Sequence, residues 1–383
     1  MARPEVETLT AYSAPLEGRR GLLRLDFNEN TVGPSPRVVA AIQAIPAEHY
    51  AIYPEYDGLR EAVVGSLLAE AGVSPGESAL TPAHIGLFNG VDGAIHAIFH
   101  AFGASGERLL TTSPTFGYYT PCARMQGMAI EAIPYRLPGF DFPFEEIRAA
   151  LGAPGSAAAA PRLLLICNPN NPTGTRLAPQ RILELAAAAP HTLVVVDELY
   201  EAFSGDSVLP LLLAGAAGAV GVAAGDPFAA ATNLLVLRSL AKTAGLAGLR
   251  IGFAIGAPAL VERVGRVCGP YDINSFAVTA AHAALADQAY TDAYVAEVRR
   301  ARDWLLPRLQ AAGVRHHAAG GNYLLLWPRR PAGDVEADLR QAGILVRSMA
   351  GKPLIDGSLR VSVGTCAQME QFWQAYRRID GLP

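Results

Sequence analysis

Leu163-Leu164-Leu165-Ile166-Cys167-Asn168-Pro169-Asn170-Asn171-Pro172-Thr173-Gly174 reads as a short apolar run that stops abruptly in a turn. Five consecutive apolar residues without alternation suit a strand buried on both faces. The Asn, Pro and Gly content that follows favours a tight reversal. The same grammar recurs along the chain. Arg108–Thr112, Ile130–Tyr135, Leu193–Val196, Leu234–Leu237 and Ile251–Ile255 are similar runs, and helical periodicity falls between them. Alternating strands and helices predict an α/β fold with a mostly parallel, doubly wound sheet.

Working outward, Pro36 opens a helix through about Ile45, a second runs from Gly58 to Ala71, and Ile95–Phe102 is helical. After Gly269-Pro270 the texture changes. Two helices (Phe276–Gln288 and Thr291–Ala312) precede strands at Tyr323–Trp327, Ile344–Arg347 and Leu359–Val363, and a helix near Met369–Arg378 closes the chain. This predicts a smaller α+β domain over 271–383, a large domain over 50–270, and an arm over 1–49 that joins the smaller domain. Ala149–Pro161 reads as a helix end and a loop, and Leu209–Ala224, rich in Ala and Gly, as a loop or helix insertion.

Composition narrows the function classes. Hydrophobic residues make up 51% and charged residues 17% of 383, which excludes a disordered chain. A net charge of −4 without a basic stripe argues against nucleic acid. No membrane span or apolar signal core is evident, and four scattered cysteines (Cys122, Cys167, Cys268, Cys366) show no metal-like spacing, so a reduced cytoplasmic protein is expected. His96 and His100 lie four apart on a helix but lack a third ligand, so no metal is expected. His316-His317 and Arg329-Arg330 read as solvated.

Among 31 basic residues only Lys242 and Lys352 are lysine. Arginine is effectively never deprotonated, whereas a lysine amine can attack an aldehyde, so a retained lysine ranks high as a nucleophile. Lys352 sits in a Gly-Lys-Pro loop with no strand feeding it. Lys242 follows Leu234–Leu237 through Arg238-Ser239-Leu240-Ala241. Asp197 and Tyr200 follow Leu193–Val196, and Asn171 follows Leu163–Cys167. These residues stand past successive strand ends, the edge where open parallel sheets bind ligands. Taken singly, the acid reads as a helix cap and the Asn-Pro run as a turn. Taken together, they meet the demands of pyridoxal 5′-phosphate (PLP) chemistry: a lysine for a Schiff base, a carboxylate for the pyridine nitrogen, an amide or phenol for the ring oxygen, and Ser239 with Arg250 for the phosphate.

Asn168–Gly174, Asp197–Tyr200 and Ser239–Arg250 (SLAKTAGLAGLR) resemble the NPNNPTG, DExY and SxxK…GLxGxR motifs of fold-type I aminotransferases, and matches extend over nearly the whole chain. The resemblance implies an aspartate-aminotransferase-like fold with Lys242 as the Schiff-base residue. It also implies Asp197 on the pyridine nitrogen, Tyr200 and Asn171 on the ring oxygen, and Ser239 and Arg250 on the phosphate. Gly90, Val91 and Asp92 resemble the turn whose backbone grips phosphate, although Val91 and Gly93 depart from the usual hydroxyl and acid. Phe116 resembles the aromatic stacked on the ring. Tyr53 resembles a tyrosine that reaches the neighbouring subunit's phosphate, which implies a homodimer with shared sites. Arg360 resembles the clamp on a substrate carboxylate.

Asn28-Glu29-Asn30 before Gly33-Pro34-Ser35-Pro36, together with Ile344–Arg347, resembles the histidinol-phosphate aminotransferase branch of amino-acid biosynthesis. Asn30 and Arg347 are then substrate contacts, with an amino donor and a keto acceptor exchanged in a ping-pong cycle. Thr31 and Val32 stand where that branch carries proline and an aromatic residue. This departure, and a Ser207–Thr232 stretch longer than the family needs, leave open a decarboxylase, cyclase or other lyase of a specialised pathway on the same scaffold.

Overall fold

The computed structural model describes residues 2–10, 17–152, 160–216 and 225–382. Thirteen strands are assigned among them: β1 (Leu23–Arg24), β2 (Ile85–Asn89), β3 (Arg108–Ser113), β4 (Ala129–Pro134), β5 (Leu163–Cys167), β6 (Leu193–Asp197), β7 (Leu234–Ser239), β8 (Ile251–Gly256), β9 (Arg315–His317), β10 (Tyr323–Trp327), β11 (Ile344–Leu345), β12 (Arg347–Ser348) and β13 (Leu359–Ser362). The central sheet has seven strands in the order β2-β8-β7-β6-β5-β3-β4. All of its neighbours are parallel except those of β8, which runs against both β2 and β7. The expected doubly wound α/β architecture is what the chain adopts.

The continuous apolar runs have the predicted physical cause. Every residue of β5 and β6 is buried. Leu164, Ile166, Val194 and Val196 point into one core with the helices Leu59–Ala71 and Pro179–Ala188. Leu163, Leu165, Val195 and Leu237 point into another with the helices Gly90–Phe102 and Tyr119–Met125. Fully burying each such aliphatic side chain contributes roughly 1.5–3 kcal/mol, so helices on both faces make the sheet stable. A third core gathers Leu25, Tyr200 and Phe203 with Leu305, Tyr323, Val361 and Phe372. Here the N-terminal arm and the C-terminal region pack together, and β1 pairs with β11 in parallel, Leu23 opposite Ile344.

The structure corrects several expectations. Ile85–Asn89 is a strand, whereas the glycines of 86–93 hid it from a reading of apolar runs. The helix Gly90–Phe102 begins five residues earlier than Ile95. His316 and His317 belong to β9 opposite Leu326 and Leu325, and the His317 ring is half-buried against Phe140, 4.7 Å between centroids, instead of solvated. Within Ala149–Pro161, residues 153–159 lie outside the described residues, as do 217–224 within Ser207–Thr232. Of the latter stretch, Leu209–Ala216 is helical and Phe228 is fully buried. No described helix is long and apolar enough to cross a membrane.

Candidate active site

Residues past the carboxyl ends of β3, β5, β6 and β7, with the helix that follows β2, meet at one edge of the sheet. Register brings them together: Cys167 lies beside Asp197, and Asp197 beside Leu237. Within the loop after β5, most amides serve the turn itself. Asn168 exchanges hydrogen bonds with both backbone groups of Leu177, and the Asn170 amide donates to Pro114 O and Thr173 Oγ1. Asn171 is left facing the centre.

Lys242 is half-buried, and its Nζ donates to Phe27 O at 2.8 Å and lies 5.9 Å from the Tyr200 ring centroid. Loss of water around the amine, then the nearby Arg360 charge, push its pKa down from 10.5 to about 8, while Glu29 and Asp92 oppose the shift. At pH 7.5 about a quarter of such an amine is neutral, against about one part in a thousand for an ordinary lysine. Lys352 stands in an exposed loop with its backbone N–H on Met349 O.

Asp197 is 2% exposed. Its carboxylate accepts from Tyr119 Oη at 2.7 Å and from the Leu199 N–H at 3.2 Å, and no described basic side chain pairs with it. Burial pushes its pKa up to about 6, the two hydrogen bonds opposing. A buried carboxylate in that state calls for a cation. The Tyr200 hydroxyl, pushed up in pKa by burial, accepts from the Asn28 amide at 3.2 Å and the Asn171 amide at 3.4 Å. Asn171 Oδ1 in turn accepts from Arg360 at 2.7 Å, and Arg360 also donates to Asp26 O. Arg360 and Arg347 face each other across β13 and β12, and Arg347 lies 5.9 Å from the Phe27 ring centroid.

An anion cradle forms where β2 hands over to Gly90–Phe102. Asn89 gives no side-chain cap, so the first N–H groups of this thirteen-residue helix are free of side-chain acceptors. Gly90 has φ +74°, and a Cβ there would stand 2.6 Å from an Arg250 terminal nitrogen. Arg250, itself left-handed at φ 57°, donates to Asp92 at 2.8 Å, which aims the guanidinium at the helix start. Ser239 Oγ accepts from the Ala241 N–H and donates to Ile251 O. Gly90 and Val91 are buried, and their contribution is backbone.

Phe116 is half-buried and meets Tyr119 edge-on at 5.5 Å. Asn30 is brought near but is committed elsewhere. Its amide donates to Thr243 O, and its Oδ1 accepts from the Val32 and Gly33 N–H groups, so it fastens the arm to the Lys242 loop. Thr31 donates to Gln368, and Val32 is 56% exposed. Tyr53 is not brought into this site: it is 71% exposed and stacks on Tyr271 at 4.1 Å. Two residues to which the sequence assigns no role complete the centre. Asn28, with φ 54°, lies inside the quoted Asn-Glu-Asn and could have been singled out. Tyr119 looks like any core aromatic, and only its hydrogen bond to Asp197 reveals it.

An amine with a lowered pKa, a buried acid lacking a cation, a phenol with an amide partner, and a cradle that only glycine leaves open fit the aldehyde, pyridine nitrogen, ring oxygen and phosphate of PLP. Comparison with known proteins agrees. The family model "Aminotransferase class I and II" matches residues 20–375. The chain is 34% identical over 381 residues to histidinol-phosphate aminotransferase 1 of Bradyrhizobium diazoefficiens, covering 98% of both chains. It is 31% identical over 386 residues to the Bordetella parapertussis protein of the same name, again covering 98% of both. In fold it is similar to the histidinol-phosphate aminotransferase from Sinorhizobium meliloti solved in complex with pyridoxal 5′-phosphate, with a TM-score of 0.79, 22% identity, and coverage of 99% of this chain and 97% of that one. The chain therefore belongs to the class I and II aminotransferases and is a PLP-dependent enzyme of that family.

Proposed function

We propose that this aminotransferase takes a small amino acid or amino-alcohol phosphate of the histidinol-phosphate kind as its donor, with Lys242 as the lysine that carries the cofactor. The observation that carries the substrate class is the Arg347–Arg360 pair: the two are register partners on β12 and β13, with Arg360 on Asn171 and Arg347 over the Phe27 ring. A planar fork binds carboxylate or phosphate bidentately, and two forks side by side favour an anionic tail.

When bound, PLP supplies an electron sink for the bond-breaking step. The residues around it have distinct tasks. Lys242, neutral in useful proportion near pH 7.5, moves the proton on the donor Cα. Asp197 holds the proton on the ring nitrogen, and Tyr119 and the Leu199 N–H keep its carboxylate in place. Tyr200 and Asn171 would bond the ring oxygen, and Phe116 would cover the ring. Ser239, Arg250 and the N–H groups of Gly90, Val91 and Asp92 would hold the phosphate, in keeping with the preference of helix N-termini for anions. Arg360 takes the donor carboxylate or tail with Arg347, and Asn30 positions the arm against them.

The enzyme works as a cytoplasmic homodimer in which Tyr53 of one copy reaches the other's phosphate. The exposed patch of Tyr50, Ile52, Tyr53 and Tyr271 supports this, since large apolar side chains gathered on a surface mark an interface. A donor screen tests the substrate class. Loaded enzyme is mixed with histidinol phosphate, histidinol, glutamate and simple amino acids, and the visible absorbance of the cofactor is followed through one half-reaction. Phosphorylated donors should react at least about 100-fold more efficiently than their unphosphorylated forms, as expected for roughly 3 kcal/mol of charged contact. Equal reactivity of the two forms would overturn the anionic-tail reading.

A further inference from the structure

Side chains alternate along a strand, so the residues that follow Asp197 and Leu237 point away from the cofactor side of the sheet. Those residues are Glu198 and Arg238. Arg238 donates through Nε to Glu198 at 2.9 Å, and through a terminal nitrogen to Ser207 Oγ at 2.7 Å and Glu70 at 3.0 Å. Its other terminal nitrogen pairs with Glu201. Glu198 also accepts from Ser207 Oγ at 2.8 Å and the Val208 N–H at 2.9 Å. One guanidinium thus ties together the helix Leu59–Ala71, the exit of β6, the turn Glu201–Phe203 and the start of Leu209–Ala216.

Two features set this lock apart from ordinary ion pairing. First, every charged member but Glu70 is an immediate chain neighbour of a site residue: Glu198 of Asp197, Glu201 of Tyr200, and Arg238 of Ser239. Second, a cavity of about 100 Å³ lies against Glu70, Glu198, Arg238, Ser239 and Thr243. The loop that carries Lys242 is therefore backed on this side by space and by the lock. Buried ion clusters add little net stability relative to apolar packing, so the lock is better explained by what it aligns.

We infer that Arg238 is a positioning residue for the cofactor site, whose lock fixes the spacing between Asp197–Tyr200 and Ser239–Lys242. This rests on the reading of those residues as cofactor contacts. The groups facing the guanidinium are Glu70, Glu198, Glu201 and, beyond Glu201, Asp206. Burial raises the pKa of both Glu198 and Glu201, and the Arg238 charge opposes the shift in each.

Two variants test it. Arg238→Lys keeps the charge and loses the fork. The triple variant Arg238→Met/Glu198→Gln/Glu201→Gln removes charge from both sides together, which spares the fold from a stranded buried ion. Measured quantities are the dissociation constant of PLP by equilibrium dialysis, the pH midpoint of the visible absorbance of the lysine-bound cofactor, and the melting temperature of the cofactor-free chain. Both variants should bind PLP about tenfold or more weakly with a shifted midpoint, Arg238→Lys less affected than the triple. Either variant, folded, with both the dissociation constant and the midpoint within twofold and 0.2 pH units of wild type (about these limits) would overturn the inference. A wild-type chain that retains no PLP on lysine would overturn the cofactor reading itself, separately from the role of Arg238.

Discussion

Asp197→Asn should make the cofactor-free protein more stable at alkaline pH while weakening its hold on PLP. The magnitude follows from burial. The folded carboxyl titrates near about 6 against 3.8 when solvated, so keeping it ionised inside costs about 2.2 pKa units, or about 3 kcal/mol. Because the folded pKa is raised, the group's contribution to stability is greatest below 3.8 and is lost as pH rises through about 6. At pH 8 the whole cost of about 3 kcal/mol is present, and at pH 5 only about half of it. Asparagine is never ionised and escapes the cost at both. It cannot accept from both Tyr119 and the Leu199 N–H as a carboxylate does, a loss of about 1 kcal/mol that is the same at both pH values. The comparison between the two conditions therefore isolates the charge. With an unfolding entropy of about 0.8 kcal/mol/K for 383 residues, the variant's advantage in melting temperature should be about 2 °C larger at pH 8 than at pH 5. Differential scanning fluorimetry of wild type and variant, stripped of PLP, reads this directly. Equal differences at pH 5 and pH 8 would refute the reasoning, because a carboxylate that costs nothing to ionise would not need a cation from the cofactor. Addition of PLP should reverse the order, stabilising wild type more than the variant.

Lys242→Ala should leave no peptide labelled after borohydride reduction with PLP, whereas mass mapping of wild type should find the label on Lys242; label on Lys352 would refute the assignment. Arg360→Ala removes charged contacts of about 1.5–3 kcal/mol and should raise KM for carboxylate donors about 10- to 100-fold, with a smaller change in kcat. A loss confined to amino alcohols would show that Arg360 does not clamp a carboxylate. Gly90→Ala places a Cβ at φ +74°, 2.6 Å from Arg250, and should weaken PLP binding about tenfold as Arg250 swings aside, measurable by equilibrium dialysis. An unchanged dissociation constant would remove the cradle from the phosphate site.

Most of the architecture and the heart of the site could be read from local sequence because the fold places function at strand ends. β5, β6 and β7 are continuous apolar runs, and the polar residues that end them, Asn171, Asp197 and Lys242, are visible as interruptions. What escaped has a common cause: long-range partners. β2 carries Gly86 and ends in Asn89, so its strand character comes from pairing with β8. β9 is Arg-His-His, and only Leu325, Leu326 and Trp327 across the sheet make it a strand. The tie from Asn30 to Thr243, more than two hundred residues away, is likewise invisible in the motif that offers Asn30 as a substrate contact. Tyr119 gives no local signal, because a core phenol looks the same whether its hydroxyl meets a backbone carbonyl or a buried carboxylate. Glu198 and Arg238 sat inside the quoted motifs without a task, since alternation turns them to the face away from the cofactor.

The pairing of Leu23 with Ile344 also governs how the molecule is born. During synthesis the central sheet can form once β8 has left the ribosome, at about residue 256. The arm cannot. Its strand partner, and the Arg360 that bonds Asp26 O beside Phe27, are made roughly a hundred residues later. At translation speeds of about 5–20 residues per second, the arm waits for at least several seconds with Leu25 and Phe27 uncovered. A chain stalled before β13 would therefore hold an assembled sheet while Asn171 Oδ1 and Asp26 O still lack the guanidinium of Arg360.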